Sequence, residues 1–190
     1  MTDDQLQLYP HQLKMIELAS CSKQIVANWG RRTGKSTVLL SMAAESMMNE
    51  MSPIIVTHNM RAIDTLRHKS VFGKVYMRTS RFCTTKPCFI ERVVKFRPDI
   101  LYLDEPELYK TDMLDAINDY VTIARPLVRV YGTGISLSTL KALGLGPEVT
   151  IYRCPTTVMP NTTDKLLGRL RSGCVSEEQF ETEFLAKLWE

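Results

Sequence analysis

The amino-acid sequence predicts an α/β protein whose central sheet is open, mostly parallel and flanked by helices. Three observations carry that prediction. Short apolar runs rich in Val, Ile and Leu alternate with stretches of helical periodicity. The first such run leads into a glycine turn that opens a helix, WGRRTGKST over 29–37, and a later run, DILYLDEPE over 99–107, ends in two adjacent carboxylates.

Taken in order, residues 23–28 (KQIVAN) form a short apolar run that stops at the glycine turn, which makes it a buried strand. Residues 36–49 place Val38, Leu39, Met42, Ala43 and Met47 at helical spacing. Pro53 opens a second strand, PIIVTH, and residues 59–69 read as a short helix. Farther on, KVYMR and CFIERVVKF both have strand character, with Thr84-Thr85-Lys86-Pro87 as the turn between them. Residues 99–104 (DILYLD) are the most strongly strand-like run. Met113, Leu114, Ile117, Tyr120, Val121 and Ala124 then make the apolar stripe of a helix that Pro126 ends. Residues 127–131 (LVRVY) give another buried strand, followed by GTGIS. In the tail, Ser176 and Gln179 have the spacing of a capping box, Val175 is placed to staple against Phe180, and Phe180, Phe184, Leu185 and Leu188 form the stripe of a last helix.

With 190 residues, 44% hydrophobic and 24% charged, the chain suits one soluble globular domain and neither a disordered nor a membrane-spanning protein. Its first residues, MTDDQLQLYPHQ, are acidic and lack the long apolar run of a signal peptide, so a cytosolic setting is expected. Five scattered cysteines show no zinc-ligand spacing and read as reduced thiols. The formal net charge is only +3, but residues 60–97 hold ten basic side chains against Asp64 and Glu91. That concentration suits contact with a phosphate backbone; a solvated surface or a face between subunits would explain it equally well.

Gly34-Lys35-Ser36-Thr37 stands between a predicted strand and a predicted helix, where a phosphate-binding loop belongs. Backbone N–H groups at the helix start would face phosphate oxygens. Lys35 would reach the β- and γ-phosphates of ATP, and the Ser36 hydroxyl would ligate Mg²⁺. The loop is irregular, because the usual first glycine falls at Trp29, Gly30 comes one step late, and Arg31, Arg32 and Thr33 fill the gap. Asp104 is placed to hold Mg²⁺ at the end of its strand, and Glu105 to orient or deprotonate a water, which points to hydrolysis. Thr133, between Gly132 and Gly134, could sense the γ-phosphate, although a simple turn explains the same residues. Gln12 precedes the first strand by about one helix, and its amide can donate to and accept from an adenine edge. Asp112, Asp115 and Asp119 fall on the polar side of their helix and read as a solvated face.

A glutamine motif, a loop with arginine ahead of Gly-Lys-Ser, an apolar strand ending Asp-Glu and a strand ending in a threonine turn together resemble the ATPase domain of the large terminase subunit, the motor that drives double-stranded DNA into viral procapsids. The tail, SEEQFETEFLAKLW, is similar to the segment in which such domains end, where a Glu-Phe or Glu-Tyr pair sits on a helix. The resemblance implies a RecA-like (ASCE-type) P-loop NTPase fold and Mg²⁺-dependent ATP hydrolysis in the cytoplasm of an infected host cell. It further implies a homo-oligomeric ring around DNA, with the portal and the small terminase subunit as partners and no membrane. It assigns the triphosphate-contacting arginine to Arg31, with Arg32 the other candidate. Nucleotide binding would then fall to Gln12, Arg31, Arg32, Thr33, Gly34, Lys35, Ser36, Thr37 and Thr133, the metal to Ser36 and Asp104, and catalysis to Lys35, Glu105 and Arg31. Residues 1–162 would be the ATPase core and 163–190 its helical tail. Large terminases typically continue into a nuclease domain with clustered acidic ligands, which the resemblance does not find here: either the sequence is a piece of a longer chain or cutting resides elsewhere.

Two rivals remain open. A helicase-like DNA-dependent ATPase shares these motifs but needs a second RecA-like lobe, and a nucleotide-dependent switch with slow hydrolysis would not need Glu105. An arginine acting on a neighbouring subunit would come from Arg92, Arg97, Arg125 or Arg153, which flank predicted strands.

Overall fold

A computed structural model describes residues 8–62 and 79–186. Six strands, β1 (Gln24–Trp29), β2 (Pro53–Thr57), β3 (Phe82–Cys83), β4 (Ile100–Asp104), β5 (Leu127–Gly132) and β6 (Thr150–Cys154), form one sheet in the order β3-β2-β4-β5-β1-β6. Every pairing is parallel. Parallel strands need crossovers that place helices on both faces, so both sides of each central strand are buried, and apolar runs replace an alternating pattern. β2 and β4 are buried at all five positions.

Alternation along the strands divides the core in two. Ile25, Ala27, Ile55, Tyr102 and Tyr131 face α1 (Pro10–Cys21) and α2 (Lys35–Met48), packing on Met15, Leu39 and Ala43. Val26, Ile54, Val56, Leu101, Leu103, Val128 and Val130 face the other side. There they meet Phe89 of α3 (Lys86–Phe96), Ile117 of α4 (Thr111–Ala124) and Leu140 of α5 (Leu137–Ala142). Arg129 is the charged exception within β5, 4% exposed. It donates to the carbonyls of Ala19 (2.7 Å) and Lys23 (2.9 Å), which satisfies the end of α1 and the turn into β1.

One expectation is overturned. CFIERVVKF is helical, because Pro87 stands in the first turn of α3, where its missing N–H costs nothing, and Phe89, Val93 and Phe96 return on one face at helical spacing. A two-residue strand that the sequence does not mark, Phe82–Cys83, precedes it. KVYMR and most of the expected helix over 59–69 lie outside the described residues, although residues 60–62 are helical. Edge strand β6 does not stand out in the sequence, since TIYRC is only partly buried and lacks a long apolar run. In the tail, α6 (Asp164–Ser172) precedes α7 (Glu177–Leu185). Ser176 caps α7 by accepting from the Gln179 N–H (3.1 Å), as expected, while the Gln179 side chain accepts from Val175 N–H at 2.7 Å, one residue farther back than a capping box requires. Val175 is 97% exposed and makes no staple; Phe180 packs on Phe184 instead.

Candidate nucleotide site

The carboxyl ends of β1, β4 and β5 meet the start of α2, the crevice where open α/β sheets bind ligands. Trp29 closes β1, fully buried, with its ring edge-on to His11 at 5.2 Å between centroids. A β-carbon on Gly30 would lie 2.5 Å from the Thr156 hydroxyl and 2.6 Å from the Phe184 carbonyl, so only glycine fits where the tail crosses the loop. The late glycine is therefore set by packing against the tail. Gly34 caps α2 in the left-handed region (φ 81°), and Arg32 shares that region (φ 63°), bending the loop around the cavity. Thr33 fastens it, donating to the Gly30 carbonyl (2.8 Å) and accepting on its own carbonyl from His11 Nε2 (2.9 Å) and Gln12 Nε2 (3.3 Å).

Gln12, which its position suggests as a reader of adenine, makes its hydrogen bonds here within the protein. It is 3% exposed, its amide oxygen accepts from Tyr9 N–H (2.8 Å) and its amide nitrogen holds Thr33. Gln12 does not itself line the cavity, and through Thr33, which does, it braces the loop.

The cavity, about 480 Å³, is lined by Arg31, Arg32, Thr33, Gly34, Lys35, Ser36, Thr37, Glu105, Glu107, Leu108, Thr133 and Glu183. Lys35 Nζ donates to Thr133 Oγ1 at 2.6 Å and to the carbonyls of Trp29 (3.1 Å) and Gly30 (3.2 Å), and it stands 3.6 Å from Glu105 Oε1. Burial holds its ammonium below the usual lysine value, with Glu105 and Asp104 opposing that shift and Arg31 adding to it. Glu105 leaves β4 in the left-handed region (φ 53°), its N–H donating to the Tyr131 carbonyl at 2.7 Å. That turn aims its carboxylate across to β5, where it accepts from Thr133 N–H (2.8 Å) and Thr133 Oγ1 (3.3 Å). Lys35, Thr133 and Glu105 therefore form one connected group, drawn from three elements. Asp104 is 6% exposed at the end of β4 and does not itself line the cavity.

Glu183 of α7 is a site residue that the motifs do not single out. Its Oε2 pairs with Arg31 Nε at 2.9 Å, its carbonyl accepts from Arg31 N–H at 2.7 Å, and Gln179 Nε2 donates to its Oε1 at 3.0 Å. The Thr156 hydroxyl holds the Arg31 carbonyl (2.8 Å), and Asn28 ties β1 to the tail through the Ala186 carbonyl (3.3 Å). The only sequence signal for Glu183 is its place beside Phe184 in the tail segment.

Three oxygen donors of the kind a hard cation takes lie at the ends of these elements: the Ser36 hydroxyl in the first turn of α2, the Asp104 carboxylate that ends β4, and the buried Thr57 hydroxyl in register beside Asp104. Among the described residues no group of three or more His, Cys, Asp or Glu could hold a metal, and Asp112, Asp115 and Asp119 lie on α4 away from the cavity. The basic segment is only partly described. Arg81 stacks on Phe96 and donates to Ser52, Arg92 donates to the Ser80 carbonyl, and Lys95 and Arg97 are exposed. Arg67, Lys69, Lys74 and Arg78 lie outside the described residues. Arg125 and Arg153 are both exposed, at the end of α4 and on β6.

No family model matches the sequence, and no curated protein matches it. Solved structures do. The large terminase ATPase domain of Thermus phage P74-26 superposes with a TM-score of 0.69 at 13% identity, covering 96% of this chain and 94% of that one. The large terminase of a second, thermophilic bacteriophage gives 0.71 at 10% identity over 95% of this chain, which spans about half (53%) of that protein. The Pif1 helicase of Candida albicans gives 0.53 at 12% identity, over 92% of this chain and 46% of its own. The chain has the RecA-like P-loop fold, and phage large terminase ATPase domains are among its structural neighbours.

Proposed function

We propose that this chain hydrolyses Mg²⁺-ATP and uses the energy to move double-stranded DNA, as the ATPase unit of a large-terminase packaging motor. The observation that carries the reading is the linked group of Lys35, Thr133 and Glu105 in the wall of a cavity of about 480 Å³. The loop N–H groups and the dipole of α2 favour the anionic phosphates. Lys35, already close to both partners, turns from the Thr133 hydroxyl and loop carbonyls to the β- and γ-phosphates. Glu105 is thereby released to orient a water and accept its proton as the bond to the γ-phosphoryl breaks. Thr133 bonds Glu105 through both N–H and hydroxyl, so the position of β5's end depends on what Glu105 and Lys35 hold. Mg²⁺, when bound by Ser36 and Asp104, supplies charge neutralisation for the phosphates. Arg31 offers the triphosphate its guanidinium in competition with Glu183, which holds its Nε at 2.9 Å.

DNA would bind through the basic segment over 60–97, with copies of the chain arranged as a ring and an arginine from one copy completing the next site. The portal, the small terminase subunit and a host-cell cytoplasm belong to the same reading. Among the described residues no helix is long and apolar enough to cross a membrane.

The direct test is a pair of variants. Lys35→Ala should lose nucleotide affinity, while Glu105→Gln should retain ATP unsplit; a Glu105→Gln protein that hydrolyses ATP at the parent rate would remove Glu105 as the base. The likeness to a helicase favours a second reading, a helicase-like DNA-dependent ATPase. ATP-dependent strand separation by this chain, without translocation on intact duplex, would select it.

A further inference from the structure

The hydroxyl of Thr57 is the feature that packing alone leaves unexplained. The residue ends β2, is 1% exposed, and among the described residues its Oγ1 has no hydrogen-bond partner. It follows Ile54, Ile55 and Val56 in a strand where valine would fill the same volume without a polar atom. A buried hydroxyl left unpaired is unfavourable, so its presence asks for a ligand.

Its direction follows from the alternation of side chains along a strand. In β2, Ile55 faces the α1/α2 side and Ile54 and Val56 the opposite side, so alternation directs the Thr57 side chain to α1/α2, while the residue also borders a smaller cavity beside Tyr109 and Met113. In β4, Tyr102 faces α1/α2 and Leu101 and Leu103 the opposite side, so Asp104 faces the same way as Thr57. The two are register partners on neighbouring parallel strands, roughly 4.8 Å apart in the pairing direction. α2, whose first turn carries Ser36, packs over that face.

Resting on the nucleotide-binding reading above, we propose that Thr57 is a positioning residue of the metal site, its hydroxyl accepting a hydrogen bond from a water bound to the Mg²⁺ that Ser36 and Asp104 hold. A hydroxyl has two acceptor lone pairs and one proton, so it can receive that water while donating toward the Asp104 carboxylate. Mg²⁺ keeps several of its waters in protein sites, and a fixed acceptor for one of them orients the whole shell.

The test measures metal binding directly. ADP affinity is determined by calorimetry with Mn²⁺ and again with EDTA, and the ratio of the two reports how strongly metal is held with the nucleotide. Thr57→Val should lower that ratio by about tenfold, the lower end of what removing such outer partners costs. Thr57→Ser should stay within about twofold of the parent, because it keeps the hydroxyl. ADP affinity in EDTA should be the same for all three proteins, and bound Mn²⁺ should show an altered hydration signal by electron paramagnetic resonance only in the valine variant. Thr57→Val should melt no lower than the parent when metal is absent; if it fails to fold, Thr57→Ala compared with Thr57→Ser makes the same distinction. An unchanged ratio in the variant lacking the hydroxyl overturns the assignment while leaving nucleotide binding intact. A parent that binds no ADP in either condition overturns the nucleotide reading itself, and this assignment with it.

Discussion

Glu183→Gln should tighten nucleotide binding. The Glu183 carboxylate holds Arg31 Nε at 2.9 Å, so a phosphate that takes this arginine competes with Glu183 for its charge. The Arg31 side chain is 59% exposed and Glu183 20% exposed, so solvent screens the pair, and its worth is that of a surface ion pair, ~0.2–1 kcal/mol. Removing the charge also removes a carboxylate from the cavity wall, where it repels phosphate. Both effects act in the same direction, and the upper value corresponds to about a fivefold gain in ATP affinity. Glutamine preserves the shape: its amide oxygen can still accept from Gln179, and the Arg31 N–H to Glu183 carbonyl bond is untouched. Calorimetric titration with ATP in EDTA, repeated at low and high salt, reads the effect, and the gain should shrink as salt screens the pair. Weaker binding in Glu183→Gln would refute the reasoning, because Glu183 would then be presenting Arg31 to the ligand instead of competing for it.

Gly30→Ala should destabilise the fold by ~1–3 kcal/mol, since the added carbon meets Thr156 and Phe184. The melting temperature should fall several degrees, and a parent-like melt would show that the tail can move aside. Burial lowers the Lys35 ammonium and phosphate restores it, so nucleotide binding should take up a proton and weaken as pH rises through the lowered value, below 10.5. Calorimetry in two buffers of different ionisation enthalpy detects the uptake; affinity flat up to about pH 10 would deny it. Between the lowered folded value and 10.5 the unfolded chain binds more proton at Lys35, so this group makes stability rise with pH in that interval. Binding to duplex DNA should ignore sequence and fall steeply with salt, and alanine at Lys69, Lys74 and Arg78 together should flatten the salt slope by up to about 2.7, three contacts at about 0.9 each. An unchanged slope places the DNA surface elsewhere.

The parallel sheet is legible in the sequence because its central strands are buried on both faces and announce themselves as apolar runs. α3 reads wrongly as a strand for a related reason: CFIERVVKF contains Phe, Ile and two valines, residues favoured in strands, and the packing of Phe89, Val93 and Phe96 on one side outweighs that propensity. The loop lysine, Asp104, Glu105 and Thr133 come from local motifs, so their proximity can be read from strand order alone. Gln12 and Glu183 cannot be placed in that way. Whether an amide faces a base or a loop carbonyl depends on the angle at which α1 crosses the loop, and Glu183 reaches the site only through the fold of a tail about 150 residues downstream of Arg31.

Among the described residues, the six charged side chains that line the cavity cancel. Arg31, Arg32 and Lys35 stand against Glu105, Glu107 and Glu183. A cleft of one sign draws its ligand from a distance and speeds encounter, whereas a balanced one has little field beyond its own mouth. Nucleotide should therefore arrive at a rate set by diffusion and orientation and little altered by ionic strength. Selection would act after contact, when phosphates compete with Glu183 for Arg31 and with Glu105 for Lys35. An anion that engages only one of Arg31 and Lys35 displaces one carboxylate, whereas a polyphosphate can span both, so such a site can favour a polyphosphate over small anions.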